Sequence, residues 1–371
     1  MTYDLKAIND RLRSDPKDFV LECDAEYWNK VEEAAGLISG NMQTSPVVLL
    51  SGPSGSGKTT TAQQIATALK RRGIGCTAIS LDRYFITVDL KTVGRTPEGA
   101  IDYESPARLD MELIDEHFHM LNAREEILIP SFNFTRQIRN WAKATPLKLG
   151  QNEVAIFEGI HALNDDIAGR HPEAFKLYVS ARSNIMDGEN LIFKGTWMRL
   201  VRRMVRDNNF RGFDPTHTLT HWGDIRQGEK MYISPFKDRA NYKFDSSLPY
   251  EVSLMKQFAL PLLKTCPPTL SDLKSLDISA LPSRNLRTYR QRWCPTPLSC
   301  GSSSAAAYIS INIRTPQRRL DNSWHINALA AGPAADLGNH PSRKRHPPIH
   351  LVKLKQSSPS QAVRAAREKV W

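Results

Sequence analysis

The sequence predicts an α/β fold, a parallel sheet of about five strands with helices on both faces. Short apolar runs alternate with helix-patterned stretches, a glycine-rich turn stands directly between one such run and a helix, and carboxylates directly follow two of the runs. Alternation of this kind implies parallel strands joined by crossover helices, and in such sheets ligands bind beyond the carboxyl ends of the strands.

In chain order, residues 1–45 read as two short polar helices, the second around Glu26 to Leu37, with a break at Gly40. Pro46-Val47-Val48-Leu49-Leu50 is apolar throughout, as a strand covered on both faces must be. A helical pattern runs from Lys58 to Arg72 and stops at Gly73. Cys76 to Leu81 reads as the second strand, Glu126 to Pro130 as the third, Val154 to Phe157 as the fourth and Phe175 to Val179 as the fifth. Helical stretches lie near Leu109–Asn122, Met198–Asp207 and Pro215–Glu229. Beyond about residue 266 the periodicity fades and Pro, Ser and Arg accumulate, so the folded domain is placed at 46–265. Residues 1–45 form a helical lead-in, and 266–371 an irregular, disordered tail.

Composition narrows the class. Apolar residues make up 40% of the 371 and charged residues 24%, ordinary values for a globular protein. No window approaches 18 apolar residues, and the N-terminus is polar from its first residues. Cys23, Cys76, Cys266, Cys294 and Cys300 are scattered and form no C-x-x-C pair, which fits a reducing cytoplasm and argues against a disulfide framework or a cysteine zinc site. The net charge of +11 belongs to the tail, where residues 281–371 hold 15 Lys/Arg against 3 Asp/Glu. That tail lacks aromatic interleaving and any nucleic-acid module, so nucleic acid is not the expected partner.

Gly52-Pro53-Ser54-Gly55-Ser56-Gly57-Lys58-Thr59 fits G-x-x-x-x-G-K-[ST] in full and sits between a strand and a helix, as a phosphate-binding P-loop must. Its glycines let backbone N–H groups crowd around phosphate oxygens, and the helix N-terminus adds its positive end. Gly52, Ser54, Gly55, Ser56, Gly57, Lys58, Thr59 and Thr60 are therefore the expected ATP-contacting residues, with Lys58 reaching the outer phosphates and the Thr59 hydroxyl on Mg2+. Phosphoryl transfer also needs a carboxylate to help hold Mg2+ and a base to accept the acceptor's proton. Glu158, after the fourth strand, suits the first role and Asp82, after the second, suits the other. Arg199, Arg202, Arg203 and Arg206 recur at helical spacing, and guanidiniums so clustered require an anionic partner. Asp207 can pair with only one of them; Arg203 and Arg206 are expected at the transferring phosphoryl and Arg199 at the substrate.

From about residue 45 to 265 these residues resemble the uridine kinase branch of the uridine kinase–phosphoribulokinase family. Ser80-Leu81-Asp82-Arg83-Tyr84-Phe85 is similar to the family's S-x-D-x-F-Y segment, whose Asp is the catalytic base. Ile101-Asp102-Tyr103-Glu104-Ser105-Pro106 resembles its F-D-H-P segment, whose Asp binds ribose hydroxyls. Phe157-Glu158-Gly159-Ile160-His161-Ala162-Leu163 resembles its E-G-I-x-A-L magnesium segment, and Arg199 to Asp207 its R-L-x-R-R-x-x-R-D lid helix. The resemblance implies an ATP- and Mg2+-dependent kinase acting on the 5′-hydroxyl of a nucleoside, uridine or cytidine, with Asp102, Phe132, Phe134 and Arg139 at the acceptor. The family's Y-D-F segment reads Phe132-Asn133-Phe134 here, and the following His is replaced by Gln137. Ribulose 5-phosphate or pantothenate as acceptor, or a non-catalytic nucleotide sensor, are the rival readings, and a homo-oligomer is compatible with all of them.

The family's bacterial members often end in R-E-F-I-G-G-S, which is absent in frame. Yet Cys300 to Ala307 can be encoded by TGC GGG AGT TCA TCG GCG GCA GC plus any base, and dropping two bases spells that ending. A shifted reading frame accounts for a tail without a core pattern. Truncation near residue 280 is expected to leave kinase activity unchanged, and the DNA over these codons must spell the missing ending in the other frame.

Overall fold

The computed structural model describes residues 2–89, 94–95, 99, 102–134 and 136–267. From residue 268 onward the tail, with its shifted-frame reading, lies outside the described residues. The chain opens with β1 (Thr2–Asp4), α1 (Leu5–Ser14), capped by the Asp4 carboxylate, and the long α2 (Pro16–Asn41). β2 (Val47–Ser51) leads through the glycine loop into α3 (Lys58–Arg71) and β3 (Gly75–Ser80). Next come α4 (Met111–Asn122), the hairpin β4 (Ile127–Asn133) and β5 (Ile138–Leu147), β6 (Glu153–Glu158) and β7 (Phe175–Ser180). A second hairpin, β8 (Asn184–Asp187) and β9 (Asn190–Phe193), precedes α5 (Gly195–Phe210), α6 (Pro215–Thr220), α7 (Trp222–Tyr232), β10 (Tyr242–Asp245) and α8 (Glu251–Leu263).

Five strands form one wholly parallel sheet in the order β10-β7-β2-β6-β3. Four are the strands expected from sequence; the fifth is β10, and the run at 126–130 lies outside this sheet. That run belongs to β4, which pairs antiparallel with β5. Ile127 and Ile129 are buried while Leu128 between them is 48% exposed, the alternation of a strand with one wet face. β10 escaped notice because it is a four-residue edge strand in which only Phe244 is buried.

The sheet separates two apolar layers. Val48 and Leu50 of β2 pack with Ala62, Ile65 and Leu69 of α3 and with Val31, Ala34, Ala35 and Ile38 of α2. Val47 and Leu49 face the other way, onto Ile114, Phe118 and Leu121 of α4. The lead-in is thus part of the core, and α2 runs through Gly40 to Asn41 because its apolar stripe has a partner along its length. β1 also joins β8 and β9 in a small sheet. The expected helix over 215–229 is two, α6 and α7, meeting at His221.

A third cluster joins α1, α5, α7 and α8, and within it lies a buried ion pair. Arg202 donates from Nε and Nη2 to both Glu251 carboxylate oxygens at 2.6 and 2.5 Å, with side chains 10% and 5% exposed. Burial opposes the Arg202 charge, yet Glu251 holds its pKa above the usual value. Removing one partner strands the other in low dielectric, so Glu251→Ala is expected to lower unfolding free energy by about 3–5 kcal/mol. Urea unfolding measures this, and replacing both residues by apolar side chains should recover part of the loss.

Candidate active site

Ser51 ends β2, and the chain reverses through residues 52–57 into α3. Gly55 has φ +73° and Gly57 φ +89°, both left-handed. A β-carbon on Gly55 would lie 2.4 Å from the Arg199 carbonyl oxygen, and one on Gly52 would lie 2.0 Å from that of Val179. Only glycine lets the loop touch these backbones. Lys58 and Thr59 open α3, with Thr60 in the same first turn. The Lys58 ammonium donates to the Gly52 and Pro53 carbonyls at 2.9 and 3.4 Å. Burial pulls its pKa down, against the opposing pull of the Glu158 and Asp82 carboxylates.

The sheet register brings those carboxylates to the loop. Glu158, the last residue of β6, stands opposite Leu50 on one side and Ser80 on the other. The Thr59 hydroxyl donates to Glu158 Oε1 at 3.1 Å. Asp82 lies two residues past the end of β3, in a single helical turn over Leu81–Tyr84, and the Ser80 hydroxyl accepts its N–H at 3.3 Å. Burial raises the pKa of both carboxyls, and the Lys58 charge opposes the rise in each.

Helix α5 carries the four arginines, and here the sequence reading is corrected. Asp207 pairs with three guanidiniums, Arg203 at 3.2 Å, Arg206 at 2.7 Å and Arg211 at 3.6 Å. Arg199, expected at the substrate, is held bidentately by buried Glu229 and donates to the Ser54 carbonyl, so it secures the loop. Neither Glu229 nor Glu251 could be foreseen as a partner, since each comes from a distant helix. Arg203 reaches the Ser54 hydroxyl at 2.6 Å. Arg203 Nε and Arg206 Nη2 are buried near Asp207 but not aligned for a hydrogen bond. Burial lowers the pKa of Arg206 to about 10, still charged at neutral pH.

In the segment expected at the acceptor, Asp102 Oδ1 accepts the Glu104 N–H and Oδ2 accepts the Tyr232 hydroxyl, each at 3.0 Å. Glu104 is pressed against Gly228, where a β-carbon would lie 2.7 Å from its own. Burial raises its pKa, with Arg203 and Lys58 pulling the other way. His161 is 2% exposed, its Nδ1 has no hydrogen-bond partner among the described residues, and burial lowers its pKa to about 4, so it is neutral. Glu104 and His161 lie within motifs that the sequence displayed, whereas Tyr232 carried no sequence signal. Phe85, Phe132 and Phe134 form an edge-to-face trio with centroids 5.2–6.3 Å apart, and Phe134 is 56% exposed. Arg139, expected at the acceptor, has its guanidinium engaged within the protein. Its guanidinium donates to Asp110 at 2.6 Å and to the Tyr84 and Phe85 carbonyls, pinning the β4–β5 hairpin to the Asp82 turn.

Comparison with known proteins places the chain in a family. A model of the Phosphoribulokinase / Uridine kinase family matches residues 47–252. The chain belongs to that family. Among relatives, it is 24% identical over 202 residues to a uridine kinase of Ureaplasma urealyticum, covering 54% of this chain and 88% of the relative. To a uridine kinase of Geobacillus kaustophilus it is 29% identical over 202 residues, covering 54% and 86%. A solved D-glycerate 3-kinase from Cryptococcus neoformans is 16% identical, with a TM-score of 0.28 over 71% of this chain and 84% of that one. Family membership makes the chain a kinase that uses ATP, and the acceptor is the question left to its own residues.

Asp82 is close enough to Lys58 and Glu158 to interact with their charges, and the sequence reading assigns it the part of general base. Asp82→Asn is expected to keep ATP binding and lose about 10²–10⁴-fold in kcat. The active form of such a base is the carboxylate, so a raised pKa moves the acid limb of the pH–rate profile above the ordinary Asp range of about 4. An unchanged kcat in the variant, or an acid limb at the ordinary value in the wild type, would remove Asp82 from that role.

Proposed function

We propose that this protein transfers the γ-phosphoryl group of ATP to the 5′-hydroxyl of a pyrimidine nucleoside, uridine or cytidine. The observation that carries the choice of acceptor is the pairing of two carboxylates, Asp102 and Glu104, beside a neutral histidine and a tyrosine hydroxyl. Asp102 offers lone pairs to vicinal ribose hydroxyls, with Tyr232 fixing its orientation. An already phosphorylated acceptor would bring its anion against Asp102 and Glu104, at a cost that a neutral nucleoside avoids. The exposed Phe134, packed edge-to-face on half-buried Phe132, gives a planar base a surface to lie against.

In this reading Asp82 takes the proton from the attacking hydroxyl, and Lys58 balances charge on the outer phosphates. Arg203 and Arg206 turn their unaligned donors to the transferring group. The Thr59 hydroxyl and Glu158 carboxylate are hard oxygen donors 3.1 Å apart, a set that suits Mg2+, which takes one or two protein oxygens and completes its shell with water and phosphate. When bound there, the ion would neutralise charge on the β- and γ-phosphates. Helix α5, closed on the loop, would keep competing water out. No helix of the described residues is long and apolar enough to cross a membrane.

A panel of acceptors with Mg2+-ATP, scored by ADP release, tests the reading. Uridine and cytidine are expected to exceed ribulose 5-phosphate, pantothenate and glycerate by about tenfold or more in kcat/KM, since a site built to hydrogen-bond an acceptor rejects one that leaves its polar groups unpaired. A reversed ranking overturns the choice of acceptor and spares the family.

A further inference from the structure

At the opposite end of the sheet from the phosphate loop lies a second cluster of groups that can bind an ion. Asp115 and His119 stand one turn apart on α4, and His171 lies just before β7, at the amino ends of the strands. His171 Nε2 is 3.1 Å from Asp115 Oδ1, and His119 Nε2 is 3.8 Å from the same oxygen. One ligand atom from each residue lies within 4.8 Å of the others. The His171 side chain is 1% exposed, and its other nitrogen, Nδ1, is 3.2 Å from Glu173 Oε1.

We infer that Asp115, His119 and His171 form a binding site for one divalent cation of the Zn2+ type, bridging α4 to the segment before β7. Two imidazoles and a carboxylate suit a borderline ion; Mg2+ and Ca2+ prefer oxygen alone. Zn2+ takes such donors at about 2.0–2.2 Å, which puts the ligands of one tetrahedral ion roughly 3.3–3.6 Å apart. The Asp115–His171 separation of 3.1 Å is a few tenths of an ångström short of that scale and the Asp115–His119 separation of 3.8 Å is a little beyond it, and the exposed His119, 68% open, has the freedom to adjust. A water would complete the shell.

The surroundings have the form of a metal site's outer layer. Glu173 Oε1 stands 3.2 Å from His171 Nδ1, so with a cation on Nε2 in place of its contact to Asp115, Nδ1–H would donate to Glu173, the arrangement that raises a histidine's strength as a ligand. Glu173 is itself oriented by the Asn122 side-chain amide at 3.0 Å, and the Asn41 side chain holds its backbone carbonyl. Lys176 donates to the carbonyls of His171, Pro172 and Ala174, so this turn is rigid. The ammonium is turned into that turn, and Asp115 and Glu173 leave the cluster net anionic. Cysteine spacing pointed to no zinc site, and these ligands, 52 residues apart between His119 and His171, are beyond the reach of such a pattern. The inference stands apart from the phosphoryl-transfer site, which takes a hard ion through Thr59 and Glu158.

Zn2+ titration of the metal-free full chain against a chromophoric chelator, in millimolar Mg2+ to occupy the oxygen site, tests it. The wild type is expected to bind one Zn2+, with a rise in melting temperature on loading. His119→Ala, an exposed change that should leave the metal-free melt and the kinase activity unaltered, is expected to weaken binding at least tenfold. Glu173→Gln, which removes the outer-layer charge, should weaken it by about 10–100-fold. A wild type that binds no Zn2+, or a His119→Ala variant that binds as tightly as the wild type, overturns the assignment.

Discussion

Helix α5 crosses the loop after β2 at backbone contact. Gly55 approaches the Arg199 carbonyl so closely that no β-carbon fits between them, and most of the site's architecture follows from this contact. Once the helix lies on the loop, its arginines must point at loop carbonyls and at one another. Arg199 and Arg203 reach Ser54, and Arg202 reaches Gly55 and Ser56. Buried guanidiniums at that density need carboxylates, and the fold supplies Asp207 from α5 itself, Glu229 from α7 and Glu251 from the start of α8. These ion pairs fix where the last helices pack. They also leave Arg203 and Arg206 less completely bound than their neighbours.

The same closeness shapes the electrostatics. Lys58, Asp82 and Glu158 share a site from which solvent is largely excluded, so each perturbs the others more than it would in water. Burial pushes the two carboxyls upward and the lysine downward, and their mutual attraction limits both movements. Neutral His161 and the Tyr232 hydroxyl extend this region without adding charge. The charge pattern therefore runs from a cationic loop and helix to the carboxylates of Asp102 and Glu104.

The β4–β5 hairpin shows how a residue chosen for one task can serve another. It lies outside the main sheet and is tied down by Arg139, whose donors meet Asp110 and two carbonyls of the turn that carries Asp82. A basic residue beside a row of aromatics looks in sequence like a substrate contact. In three dimensions it couples the position of Phe132 to that of the Asp82 turn, through Phe85.

Local rules were enough to locate the phosphate loop, the strand-end carboxylates and four of the five sheet strands, because each is a short-range pattern. A loop that hosts phosphate needs glycines at set spacing, and a strand covered on both faces must be apolar throughout. The arginine spacing likewise declared one helix face. Pairing across the chain was not so encoded. Asp207 could be seen as a neighbour, but Glu229 and Glu251 lie 30 and 49 residues from the arginines they neutralise. Tyr232 meets Asp102 across 130 residues, β10 completes the sheet with a single buried ring, and His171 joins α4 only after the sheet is assembled. Those relations depend on which surfaces the packed core brings together, and no window of sequence contains that information.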